Sequence, residues 1–280
     1  MNALPSLLLS AFQSVLIIMN AAVSAVRCLL VLLLIAWGAA APATAQTTAQ
    51  SMEAEPSFAA VDSLRDAGAF RDAFGQLVGM ADQYPDNANV HWRLALTRVD
   101  MGEVSDSDRK RQSFYKQALD DAKAALAADS MNARAHYAMA VAEGRVALTA
   151  GSREKIRRSR AVKHHADRAI ELDPTMSSAY HVRARWNREV ADLGFFSRAI
   201  VKTVYGGLPE ASFEQAVRDF QKAIELEDTI IHHLELGRTY AKMDDEDKAK
   251  NHLQMVLDMP ETDPDDPRHK ADARELLEDL

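Results

Sequence analysis

His164 to Pro174, HHADRAIELDP, decides how the rest of the chain is read. Ala166, Ala169, Ile170 and Leu172 fall on one side of a helix, and Pro174 ends it, because the residue before a proline is pushed away from helical geometry. The pattern returns as ALDDAKAALAADS over 118–130 and as AVRDFQKAIELED over 216–228. Small residues seven apart, Ala118 with Ala125 and Ala216 with Ala223, allow two antiparallel helices to approach closely. Each such stretch marks the second helix of a helical pair that recurs along the chain.

Working outward, Gly68, Phe70, Ala73, Leu77 and Pro85 are followed by Leu94, Ala95 and Gly102, which puts the two glycines 34 residues apart. This period and residue set resemble the tetratricopeptide repeat, a helix–turn–helix unit that buries its apolar face only by stacking on its neighbours. The frame gives units at 54–87, 88–132, 133–176, 177–229 and 230–260, with extra residues inside units two to four. Residues 264–280, with Ala273, Leu276, Leu277 and Leu280 on one face, read as a polar-faced capping helix. Strand signals are nearly absent. The expected fold is all-α: a tetratricopeptide-like solenoid of about five helix pairs over 57–280, closed by a C-terminal cap. In unit four the first helix is expected to run from Ser178 to Tyr205, where Gly206-Gly207-Leu208-Pro209 breaks it. Ser212 and Gln215 then form a capping box at the next helix start.

Residues 1–45 hold no acid and one base, Arg27. An apolar run follows it, and Ala43-Thr44-Ala45 supplies the small residues of a cleavage site, so 1–45 reads as a signal peptide, with Met19 as a second initiator candidate. The competing reading is an uncleaved anchor, but the stretch from Cys28 to Ala41 is short of the about 20 residues a span needs. Residues 46–56 read as a flexible leader. Removing residues 1–45 takes away Arg27, which moves the formal charge from −8 to −9, and the single cysteine, so no disulfide or thiolate chemistry remains in the mature chain. The expected location is periplasmic or secreted.

Over 183–260 the chain resembles something narrower. Arg183 or Arg185, Trp186, Pro209, Glu210, Ala211, Ser212, Phe213, Glu214 and Ala216, then Leu236, Gly237, Thr239 and Tyr240, match the pattern of the regulator of microtubule dynamics family. The resemblance extends over about 57–280. It implies a non-catalytic tetratricopeptide-like domain, with relatives that associate with microtubules and with phospholipid. Microtubules enter through the resemblance alone.

In this architecture the first helix of each pair lines the concave face. Repeat positions then direct Trp92, Arg134, Tyr137, Arg145, His181, Arg185, Arg188, Arg238 and Lys242 inward. Six of these are cations, which favours an anionic protein segment or a lipid phosphate. The alternative is that acidic neighbours neutralise them. Arg153, Arg157, Arg158 and Arg160 form a second basic run, open to a polyanion or to solvent alone. Phe195, Phe196, Ile200 and Tyr205 are apolar enough to cover a lipid tail or to mate with a partner helix.

No metal or cofactor is expected. Adjacent histidines at 164–165 and 232–233 point about 100° apart on a helix and lack a completing ligand set, so they read as surface residues. There is no nucleophile elbow, glycine-rich phosphate loop or carboxylate pair at a strand end, so the chain reads as a non-enzyme. Aromatic interleaving for nucleic acid is missing too. Two functions stay open: a scaffold that grips a partner segment, and a phospholipid carrier or membrane tether.

Overall fold

The structure, a computed structural model, describes residues 56–280, apart from the side chains of Phe195, Phe196, Arg198 and Ile200. The expected signal and nearly all of the leader lie outside the described residues. Twelve helices follow one another among the described residues. Unit one pairs α1 (Ala59–Asp66) with α2 (Phe70–Gln83), and unit two pairs α3 (Ala88–Glu103) with α4 (Asp108–Ala128). Unit three pairs α5 (Ala133–Ala147) with α6 (Ser152–Leu172). In unit four, α7 (Ser177–Ala191) pairs with α9 (Phe213–Leu226), and α8 (Phe195–Tyr205) lies between them in sequence. Unit five pairs α10 (Ile230–Lys242) with α11 (Glu246–Asp258), and α12 (Asp266–Glu278) caps it. No strand occurs among the described residues.

Side-chain chemistry sets the boundaries. Asn87 caps α3 by accepting from the backbone amides of Asn89 at 2.8 Å and Val90 at 3.3 Å, and Asn132 does the same for α5 through Ala135 at 3.0 Å. Ser212 caps α9 by accepting from the Gln215 amide at 3.2 Å, one half of the expected capping box. The extra residues of units two and three lengthen the second helices: α4 and α6 have 21 residues each, against 14 in α2 and 13 in α11.

Within each pair the seam is closed by small residues. Ala73, Ala118, Ala122, Ala125, Ala169, Ala216, Ala223 and Ala249 are fully buried. The apolar clusters bridge successive pairs, joining α3, α4 and α5 around Tyr115 and Met139, and α7, α9 and α10 around Phe220 and Leu236.

One expected element is corrected. The first helix of unit four does not continue to Tyr205. It ends at Ala191, and Gly194 precedes a separate helix. The left-handed backbone of Gly206 and Gly207, with φ of 77° and 82°, then turns the chain toward α9. Arg160 of α6 holds this turn, donating to the carbonyl oxygens of Gly207 and Tyr205.

Gly102 sits in the last turn of α3 against the Tyr115 ring, and a Cβ there would lie 2.5 Å from a ring carbon. Gly79 in α2 is exposed, with nothing within 4 Å of such a Cβ. Gly102→Ala is therefore expected to destabilise by about 1–3 kcal/mol through overpacking, while Gly79→Ala stabilises by up to about 1 kcal/mol. Urea unfolding of the two variants checks the opposite signs.

Candidate functional site: the inner face

The first helices α3, α5, α7 and α10 supply the inner face, and six of the nine expected groove residues divide between two cavities on it. Trp92, Arg134 and Tyr137 come together in a cavity of about 580 Å³, with Arg65, Arg93, Ser178 and Glu227 around them. Arg188, Arg238 and Lys242 border a second, of about 390 Å³, with Leu276 of the cap. Arg145, His181 and Arg185 line neither cavity.

In the first cavity Trp92 is almost covered, and its indole N–H donates to Asn89 at 3.0 Å. The Arg93 guanidinium lies 4.0 Å from the Trp92 ring and donates to both Asp62 oxygens, at 2.8 and 2.9 Å. Arg65 is likewise tied to Asp100, at 2.7 Å. Burial pushes the Tyr137 hydroxyl above its usual range. Arg134 is exposed and makes no ion pair among the described residues, while Asp66, Asp173 and Glu227 add negative charge to the rim.

The inner surface beyond is organised by one carboxylate. Glu235 of α10 is 2% exposed and meets Arg188 of α7 at 2.6 Å, Arg238 of its own helix at 2.7 Å and Arg185 at 3.8 Å. Burial alone would raise its carboxyl, but the charges of Arg188, Arg185 and Arg238 outweigh it and hold the group at about 2. Arg188 also donates to the Glu235 carbonyl at 3.1 Å, and Arg238 reaches Asp272 of the cap at 2.7 Å.

The expectation of a cationic lining is therefore corrected. Five of its six cations are matched by acids: Arg145 by Glu103 at 2.6 Å, Lys242 by Asp192 at 2.9 Å, and Arg185, Arg188 and Arg238 by the Glu235 group. His181 is no cation either. Burial holds it at about 3, wedged edge-on to Phe220 and beside His232. The surface reading of His232 and His233 is overturned as well, since both are buried. The long basic run is dispersed: Arg157 and Arg158 pair with Glu154, Arg158 also with Glu143, and Arg160 holds the Gly207 turn. Arg153 is exposed, with no ion pair among the described residues. Tyr205 is half-buried, and the side chains of Phe195, Phe196 and Ile200 lie outside the described residues.

Sequence reasoning missed Glu235, although its spacing of three from Arg238 on one helix face was a usable signal. Among the described residues no group of three or more His, Cys, Asp or Glu side chains is placed to hold a metal ion, and no helix is long and apolar enough to cross a membrane.

Residues 57–280 match a family model described as Regulator of microtubule dynamics protein 1-3. Regulator of microtubule dynamics protein 3 of Xenopus laevis is 26% identical over 209 residues, 74% of this chain and 45% of that protein. Regulator of microtubule dynamics protein 1 of Mus musculus is 27% identical over 229 residues, 81% of this chain and 74% of that one. The chain thus spans less than half the length of the Xenopus relative. Among solved structures, a thermophilic TPR protein of Thermus thermophilus aligns with a TM-score of 0.57 at 17% identity, covering 77% of this chain and 96% of that one. That likeness is one of fold.

Glu235→Gln leaves the shape but strips the charge from between three arginines, and a loss of about 3–5 kcal/mol is expected. Because the folded carboxyl sits below its ordinary value of 4.5, the stability it gives is complete above that pH and is lost as pH falls toward 2. Urea midpoints measured from pH 7 to pH 3 should fall for the native chain, and fall less for Glu235→Gln.

Proposed function

Because the chain belongs to the regulator of microtubule dynamics protein 1-3 family, we propose that it is a non-enzymatic scaffold which holds a segment of a partner protein on its inner face. The observation that carries this reading is the 580 Å³ cavity across units one to four, where Trp92 and Tyr137 form fixed walls and Arg134, alone among the lining arginines, keeps its charge unspent. The walls are held by internal bonds, so a partner meets a surface already in its binding shape and little side-chain freedom is lost on docking. A partner carboxylate answers Arg134, and donors on the same segment answer Asp66, Asp173 and Glu227. The partner's anionic group is thus local, confined to one arginine, and does not require a basic groove.

Export through residues 1–45 is part of the proposal, and it makes the partner an envelope or extracellular protein. The relatives' names connect them with microtubules, a partner that an exported chain does not meet.

A phospholipid carrier is the second reading. A cleft of about 600 Å³ lined by Val190, Leu193, Val201, Leu208 and Pro209 opens between α7, α8 and the start of α9, and favours it. Native mass spectrometry of the gently purified protein separates the two, since a lipid carrier retains an added phospholipid mass and a peptide scaffold does not.

For the scaffold, Arg134→Glu should lower recovery of the partner from an envelope extract at least tenfold, while Lys155→Glu, on the exposed outer run, leaves it unchanged. Equal recovery by both variants would rule out the inner cavity as the docking site.

A further inference from the structure

The second helix of every unit from two to five carries a polar residue three positions after a buried apolar residue. These are Asp121 after Ala118, His165 after Val162, Asp219 after Ala216 and His252 after Ala249. Each reaches back to the first helix of its own unit. In units two and four the bond is an ion pair, Arg98 with Asp121 at 2.5 Å and Arg183 with Asp219 at 2.7 Å. In units three and five it is a pair of imidazoles, His136 with His165 at 2.9 Å and His233 with His252 at 3.0 Å, both from Nδ1 to Nδ1.

The two imidazole pairs share one construction. His136 and His233 are each the fourth residue of their helix. Each turns its Nε2 to an acceptor in the preceding link, the Ser130 carbonyl at 3.1 Å and the Asp228 carboxylate at 2.8 Å. Nε2 therefore carries the hydrogen, and Nδ1 is left as a bare acceptor. Its partner must then donate from its own Nδ1. The ring centroids are 5.2 Å apart in both pairs, the nitrogen separation plus the two ring radii, so the rings point nose to nose. A chelated metal would draw the nitrogens toward an apex off that line, whereas a single shared hydrogen lies on it.

We propose that these two pairs are acid-operated latches: with one shared hydrogen they close α6 on α5 and α11 on α10, and once both rings of a pair are cations, each with a hydrogen on its facing Nδ1, they are driven apart while the arginine–aspartate bonds of units two and four hold. No acid stands between the facing nitrogens, and the carboxylate of Asp228 meets only the outer nitrogen of His233. Around the unit three pair stand His164 and Arg168 of α6, with Asp129 in the link from α4. Around the unit five pair stand His232, Asp228 on the outer nitrogen of His233, and the Tyr240 ring stacked on His252, with Lys248 over that ring.

Burial first, then the neighbouring His136 and His164, hold His165 at about 4, and burial also lowers His136 and His252. The unfolded chain takes up protons below about 6.5. Stability given by neutral His165 is thus complete above that pH and drains away as pH falls toward 4. At pH 5 the His165 site alone shifts the folding equilibrium by about thirtyfold.

Hydrogen exchange on the purified protein tests the latches. Corrected for intrinsic rates, amides of α6 and α11 should lose at least tenfold more protection between pH 7.5 and pH 5 than those of α4 and α9. An even loss over all four helices would overturn the proposal. His165→Gln with His252→Gln leaves one imidazole at each site, so two facing cations cannot form, and the difference should flatten. Should that variant not fold, an NMR titration of the native His165 ring decides: a ring that stays neutral to below pH 5 supports the latch, and ordinary titration between pH 6 and 7 refutes it.

Discussion

Close approach of two helices within each pair is the constraint on which the remaining structure depends. Ala118, Ala216 and Ala249 occupy the same place in units two, four and five and have no exposed surface. With only a methyl group at the seam, backbones come near enough for the residue three positions later to reach across to the opposite helix. The bonds of Asp121, Asp219 and His252 are consequences of that spacing, and in unit three the buried Val162 stands where the others have alanine, with His165 still reaching His136. A pair closed in this way still shows an apolar edge, so each unit needs the next, and α12 is the polar-faced end that stops the stack.

The inner face follows from the same geometry. First helices lie side by side, which brings Arg185 and Arg188 of α7 to Glu235 of α10, and Arg238 of α10 to Asp272 of α12. Burying such charges is costly unless they are paired, and the chain meets that cost by nearly complete matching. What remains for a partner is a small polar cavity with fixed walls and one uncommitted arginine. The family gives the fold and the expectation of a binding surface, and the side chains of units one to four narrow where on that surface a segment docks.

The fold was legible because periodicity, small residues and stop signals all reported local geometry. Proline and glycine placed the unit boundaries within a few residues of the helices observed. The break at Gly194 was not legible, because an apolar run on both sides of it reads as one helix, and only packing separates α7 from α8. The inner face was half legible. Repeat position suggested which side chains face inward, and three of them, Trp92, Arg134 and Tyr137, line one cavity. It said nothing of the acids that would meet the arginines, since Glu103, Asp192 and Asp272 come from other helices or links far away in sequence. The histidines were misread for the same reason. Their neighbours in sequence are not their partners, and His136 and His252 gain meaning only once the helices lie side by side.

The most direct test of the inner face as the binding surface is site-specific photo-cross-linking in an envelope extract. A photoreactive side chain at Leu96 lies on the wall of the 580 Å³ cavity, and one at Val78 lies exposed on the second helix of unit one. A discrete cross-linked partner is expected from position 96 and none from position 78. A cross-link from 78 with none from 96 would place the partner on the outer face and contradict the inner-face reading.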